Sequence, residues 1–128
     1  MSINIYEQNR ILGASPVELV RILYAGAGRA VVNAREHLRS GDIAARSREI
    51  SKAQAILIEL AASVDVREGG EIGTRLLALY DYMRSKLFEA NAQQDEAPLA
   101  EVARLLATLQ EAWLKCADLE MCELAAAS

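Results

Sequence analysis

Apolar residues recur along this chain with the spacing of a helix, in four runs separated by short breaks, and nowhere with the sustained alternation of a half-buried strand. The first run opens at Ser15, placed to cap, with Pro16 in the first turn and Glu18 three residues after the serine. It predicts a helix over about 16–39, with Leu19, Leu23, Gly26, Ala30, Ala34 and His37 near one line. Ser40, Gly41 and Asp42 end it, and the aspartate is placed to cap the next helix.

The second run predicts a helix over about 43–64. Ile50, Ala53, Leu57, Leu60 and Val64 form its apolar seam, and Arg48, Lys52 and Glu59 gather on the opposite side. Between them Ser51, Gln54, Ala55, Ile58, Ala61 and Ala62 carry no charge, so this helix has more apolar or small surface than one neighbour needs. Gly69 and Gly70 interrupt the pattern before a third helix over about 71–91. Its expected buried face is Ile72, Leu76, Leu79, Tyr80, Met83, Leu87 and Ala90, with Leu77 and Phe88 on a flank. A fourth helix, about 98–116, repeats the spacing with Leu99, Val102, Leu105, Leu106, Leu109 and Trp113. Glu120 falls where that seam would continue, which predicts a short appended helix over about 117–125 or a fraying tail.

These runs predict an all-α fold, an antiparallel four-helix bundle forming a single domain over 1–128. A short C-terminal helical extension and a mobile N-terminal segment, 1–14, complete it. That segment has no sustained periodicity, although Ile3, Ile5, Tyr6, Ile11 and Leu12 are apolar. Gly26 and Gly28 interrupt the first helix, where each costs about 1 kcal/mol relative to alanine. Gly26, with Ala27, Ala30 and Ala34, keeps the inner face small and lets another backbone approach. Gly28 falls on the outer side, where it marks a bend, the approach of a partner, or mere tolerance.

Composition narrows the function more by exclusion than by assignment. Aromatic residues are 5% of the chain, so the core must be built from Ala, Leu, Ile and Val. A net charge of -4 argues against a nucleic acid partner, whose phosphates require a basic face. No apolar run approaches the roughly 18 residues of a membrane span. The opening residues lack the basic flank and apolar block of a signal peptide, which predicts a cytoplasmic protein without membrane insertion.

Catalytic machinery has few parts to draw on. Cys116 and Cys122, six residues apart, match no common zinc motif and are expected as reduced, partly buried thiols. His37 is the single histidine, so it cannot supply the paired Glu-x-x-His motifs of a di-iron bundle. It is expected as a packing residue that bonds a free carbonyl near the helix end. The glycines of "GAGRA" (residues 26–30) lack the spacing and preceding strand of a dinucleotide loop. The expectation is no enzyme, no metal and no cofactor. Trp113 and Tyr80 read as core, whereas Tyr82 falls off the seam and reads as a partly exposed contact residue.

Several blocks in order resemble the flagellar secretion chaperone FliS family. They are Tyr6 followed by "SPVELVRILY" (residues 15–24), then "KAQAILIEL" (52–60), "GGEIGTRLLALYDYMRSKLFEAN" (69–91), and the leucine-rich fourth helix with "EAW" (111–113). The chain departs from the family pattern at Ala25, where members usually carry an acidic residue, and at Gly73, Thr74 and Arg75. The resemblance implies a bundle that binds the disordered C-terminal segment of flagellin, prevents its premature polymerisation and delivers it to the flagellar export gate. With the apolar excess of the second helix, it makes Gln54, Ala55, Ile58, Ala62 and Tyr82 the candidate client-binding residues. It also implies an N-terminal cap over part of that surface, here Ile5, Tyr6, Ile11 and Leu12. A self-associating structural or regulatory bundle, with a homodimer through the same face and no flagellin client, is the alternative.

Overall fold

The computed structural model describes the backbone of residues 15–127 and, apart from positions 16 and 66, the side chains of residues 15–116. The proposed cap residues Ile5, Tyr6, Ile11 and Leu12 therefore lie outside the described residues, as does the side chain of Cys122. Four helices make up the described chain: α1 (Pro16–Ser40), α2 (Ile43–Ala62), α3 (Val66–Gln93) and α4 (Glu96–Ala127).

Local chemistry fixes the helix ends. The Ser15 hydroxyl accepts from the Glu18 amide at 3.2 Å, and Gly41, at φ 78°, closes α1 by donating to the Leu38 carbonyl. The Asp42 carboxylate accepts from the Ala45 amide at 3.1 Å to start α2. Helix α2 stops at Ala62, short of the expected residue 64, and Asp65 caps α3 by accepting from the Arg67 and Glu68 amides. Helix α3 thus begins before the glycine pair. Gly70 (φ 54°, ψ -131°) breaks its geometry at the place where the sequence predicts the helix to start. Helix α4 runs without a break to Ala127, so the expected end near residue 116, followed by an appended helix or a fraying tail, is corrected to one continuous helix. A glutamate in an apolar seam affects packing, not backbone, and Lys115 to Ala127 is rich in strong helix formers.

Helix α1 packs on α2 and α4, and α3 packs on the same two, so α1 and α3 face each other across the diagonal of an all-α four-helix bundle. The short connections make successive helices antiparallel. Leu23, Ala27, Ala30, Val31 and Ala34 of α1 meet Ile50, Ala53, Leu57 and Leu60 of α2, Tyr80, Met83, Leu87 and Ala90 of α3, and Leu99, Val102 and Leu106 of α4 in one core. Leu76, Leu79, Leu105, Leu109 and Trp113 pack half-buried against it. Across the diagonal the Tyr24 and Tyr80 hydroxyls share a buried hydrogen bond of 2.5 Å. That bond sets the register of α1 against α3 with an offset of 56 residues.

The same register explains a correction. Ile72, expected on the buried face, is 73% exposed. Fifty-six residues back lies Pro16, the first residue of α1, so Ile72 sits at the end of the bundle, where the inner line of α3 runs past the described start of α1. Ile56, absent from the expected seam, is buried, and a Cβ at Gly26 would stand 3.3 Å from its Cδ1. Gly26 therefore makes room for a side chain of α2 rather than for its backbone. A Cβ at Gly28 would meet nothing within 4 Å. His37 is half-buried, and it enters the helix cap through its carbonyl, which accepts from the Asp42 amide (3.0 Å) and the Ser40 hydroxyl (3.2 Å). Cys116 is exposed, contrary to the expected partly buried thiol.

Candidate binding surface

Two polar anchors hold α2 to α3. At one end Arg46, a charged residue with only 4% exposure, donates through Nε to Asn91 Oδ1 (3.0 Å) and through Nη2 to the Asn91 carbonyl (3.4 Å). Ser47 Oγ donates to the same Oδ1 at 3.2 Å. The guanidinium thus sits at the C-terminal end of α3, where a positive charge and free carbonyls attract each other. Two turns along, Gln54 and Arg84 form a reciprocal bridge: Gln54 Nε2 donates to the Arg84 carbonyl (2.9 Å) and Arg84 Nε donates to Gln54 Oε1 (3.1 Å).

Around the second anchor the two helices leave an open groove of about 440 Å³ lined by Gln54, Asp81, Arg84, Ser85 and Phe88. Phe88 lies one turn beyond Arg84 and is 72% exposed, while Ile58 lies one turn beyond Gln54 and is 47% exposed. Because the helices are antiparallel, these side chains flank the bridge in opposite directions, about 12 Å apart along the axis. Ala62, one further turn from Ile58, continues the stripe of Gln54 and Ile58, and Ala55 stands beside it, half-buried.

Tyr82 is not part of this groove. It projects toward α4, donates to Glu101 Oε2 at 2.6 Å, and carries Lys86 Nζ 5.5 Å from its ring centroid. The Glu101 carboxylate that it bonds, followed by partial desolvation, holds its hydroxyl above the ordinary tyrosine pKa. Lys86 is in turn raised by its bond to Glu89. On the α1–α4 edge, Glu96 accepts from both Arg39 and Arg35; Arg39 is the larger cause of its lowered pKa. The five candidate positions thus separate into four along the outer edge of α2 and one on the far edge of α3.

Phe88 and Arg84 are the contact candidates that periodicity misses. Phe88 stands beside the predicted buried face, and hydrophobicity alone assigns it there. Its exposure follows from its place one turn from Arg84, off the inner face that Met83, Leu87 and Ala90 occupy.

The whole assembly has known counterparts. The family model described as Flagellar protein FliS matches residues 2–120. The chain belongs to this family. Curated relatives named flagellar secretion chaperone FliS include that of Salmonella typhimurium, 41% identical over 83% of this chain and 79% of the relative. That of Campylobacter jejuni is 34% identical over 88% of each, and that of Bacillus subtilis is 32% identical over 84% of this chain and 80% of the relative. Among the FliS blocks, 52–60 supplies the outer edge of α2 and 69–91 supplies nearly all of α3, so the groove is built from the stretches that carry the resemblance. No helix among the described residues is long and apolar enough to cross a membrane.

Proposed function

We propose that this chain is a cytoplasmic export chaperone, not an enzyme, that holds the C-terminal segment of flagellin on the α2–α3 face. There it prevents premature polymerisation and delivers the client to the flagellar type III export gate. The observation that carries this reading is the pair Ile58 and Phe88, large apolar side chains left in solvent on either side of a polar bridge. A closed core gains nothing from them. An unfolded segment with apolar positions at intervals gains two anchors on one groove, and the Gln54 and Arg84 side chains between them can hydrogen-bond its backbone. Ala55 and Ala62 leave room for close approach, and Tyr82 joins the contact where the segment passes over α3 toward α4. Ile5, Tyr6, Ile11 and Leu12 cover part of this surface until the client displaces them.

Calorimetric titration with the C-terminal segment of the flagellin of the same organism tests this reading. The expected result is tight one-to-one binding with a negative heat-capacity change. Ile58→Asp and Phe88→Asp should each weaken it while the helical content persists. Binding that ignores both substitutions moves the site to another face. Absence of binding, with a mass that rises with concentration, favours a self-associating bundle instead. Deleting residues 1–14 should raise client affinity and exposed apolar surface; if neither changes, the cap idea is wrong.

A further inference from the structure

The opposite edge of α2 carries a second apolar hollow, between α1 and α2. Ile22, Ala25, Gly26 and Ile56 line a cavity of about 270 Å³ that also touches Arg29 and Lys52. The Gly26–Ile56 contact sets the register of the two antiparallel helices. Arg29 lies three residues after Gly26, and Lys52 lies four residues before Ile56, so both cations stand at one end of the hollow, about one turn from its apolar floor. Neither makes an ion pair among the described residues. In a chain of net charge -4, two cations thus stand together at the mouth of an apolar hollow, with Glu49 one turn from Lys52 on the same edge of α2.

The hollow is smaller than the roughly 300–1,000 Å³ of drug-sized ligand sites, which suits a single side-chain anchor. It is also open outward. Ala25 and Arg29 line both this hollow and a groove of about 480 Å³ on the far side of α1, which holds Gly28, Val32 and Ala107. The outer ridge of α1 is bare at Ala25 and Gly28, so a peptide can lie across it without steric conflict. That gives Gly28, which the fold itself does not require, a physical use.

We propose that this face docks an acidic amphipathic segment of a partner protein. One large apolar side chain fills the hollow at Ile22, Gly26 and Ile56, and carboxylates one turn away pair with Arg29 and Lys52. The site lies on the other edge of α2 from Gln54 and Ile58, so it remains available while the α2–α3 groove is filled. Ala25 is what leaves it open. A carboxylate at that position would stand four residues before Arg29, the favourable arrangement for an ion pair within one helix, and would neutralise the cation from inside.

The test uses the full chain and fluorescence anisotropy of a labelled amphipathic peptide of about four turns, with leucines on one face and glutamates beside them. A second peptide replaces every glutamate by lysine. The glutamate peptide should bind at least about ten-fold tighter than the lysine peptide. Ala25→Glu and Lys52→Glu should each weaken the glutamate peptide about five-fold, the scale of one part-exposed ion pair. Ala25→Gln, which adds the bulk without the charge, isolates the steric part of that loss and should weaken binding clearly less than Ala25→Glu. Equal binding of the two peptides overturns the proposal. So does an Ala25→Glu protein that melts like the parent and binds like it, or an equal loss in the glutamine and glutamate variants.

Discussion

The two edges of α2 are held to their neighbours in opposite ways. Toward α1 the contact is made by small residues: Gly26 receives the Ile56 methyl, and Ala27, Ala30 and Ala34 are almost completely buried. Toward α3 the helices are spanned by long polar side chains, Arg46 to Asn91 and Gln54 to Arg84. Small residues let the first seam close until only a side-chain-sized hollow remains. Polar bridges hold the second seam open as a trough, and Ile58 and Phe88 stay in solvent beside it. The apolar neighbours of the first seam are core, and those of the second stay exposed.

Leu57, fully buried in the core to which both seams contribute, should show the largest effect. Leu57→Ala is expected to cost about 2–5 kcal/mol in urea unfolding, because the cavity cannot collapse from either side. A loss below 1 kcal/mol would mean that the two edges are not joined by one core.

Arg46→Ala addresses the polar seam. It removes the guanidinium from the Asn91 carbonyl and amide, and about 1–3 kcal/mol of stability should go with it. The loss should appear as earlier hydrogen exchange at the C-terminal turn of α3, while α1 amides keep their protection relative to global unfolding.

The diagonal pair allows a sharper comparison, since neither seam provides it. Tyr24→Phe leaves the Tyr80 hydroxyl buried without its partner and should cost about 1–2 kcal/mol. The double variant Tyr24→Phe with Tyr80→Phe should recover much of that loss. Burial first, and the mutual hydrogen bond second, push the Tyr24 hydroxyl far above its ordinary pKa. Burial likewise raises Tyr80, with the hydrogen bond it shares with Tyr24 opposing it. A group whose folded pKa is raised contributes fully below its unfolded pKa, and its contribution falls as pH climbs above that value. The parent should therefore lose stability above about pH 10 more steeply than the double phenylalanine variant, in urea midpoints measured at stepped pH.

The smallest effect separates the two glycines of α1. Gly28→Ala meets open space and should stabilise the protein by about 0.5–1 kcal/mol through helix propensity. Gly26→Ala gains the same propensity but presses on Ile56, so it should gain less. Equal gains in thermal melts would show that Ile56 moves aside freely and that the 3.3 Å approach at Gly26 does not hold the α1–α2 seam tight.

Much of the architecture is legible in the sequence. Helical spacing predicted four helices, and cap chemistry at Ser15 and Gly41 placed the ends of α1 to within a residue. The core positions Leu57, Leu60, Met83, Leu87, Leu99 and Val102 followed from the same spacing. Ile72 did not, because periodicity assigns a residue to a face of its own helix but does not reveal whether a neighbour covers that face. Arg46 was missed for the converse reason: a charge is read as solvent-facing, and only the end of α3 makes its burial favourable. The candidate surface was legible along one helix, at Gln54, Ala55, Ile58 and Ala62. Its partner residues on α3 were not, and Tyr82 turned to the other edge.

By itself the sequence determined which segments are helical, where Ser15, Gly41 and Asp42 bound the first two, which residues are apolar enough to form a core, and the family resemblance. Those are properties of single residues and of spacing within one segment, and they need no neighbour to be defined. Tertiary structure decided the ring order of the helices, the Tyr24–Tyr80 register, and the distinction between a closed seam and an open groove. These depend on which faces meet and how far apart the crossing side chains hold them, a relation between segments that no pattern within a segment encodes.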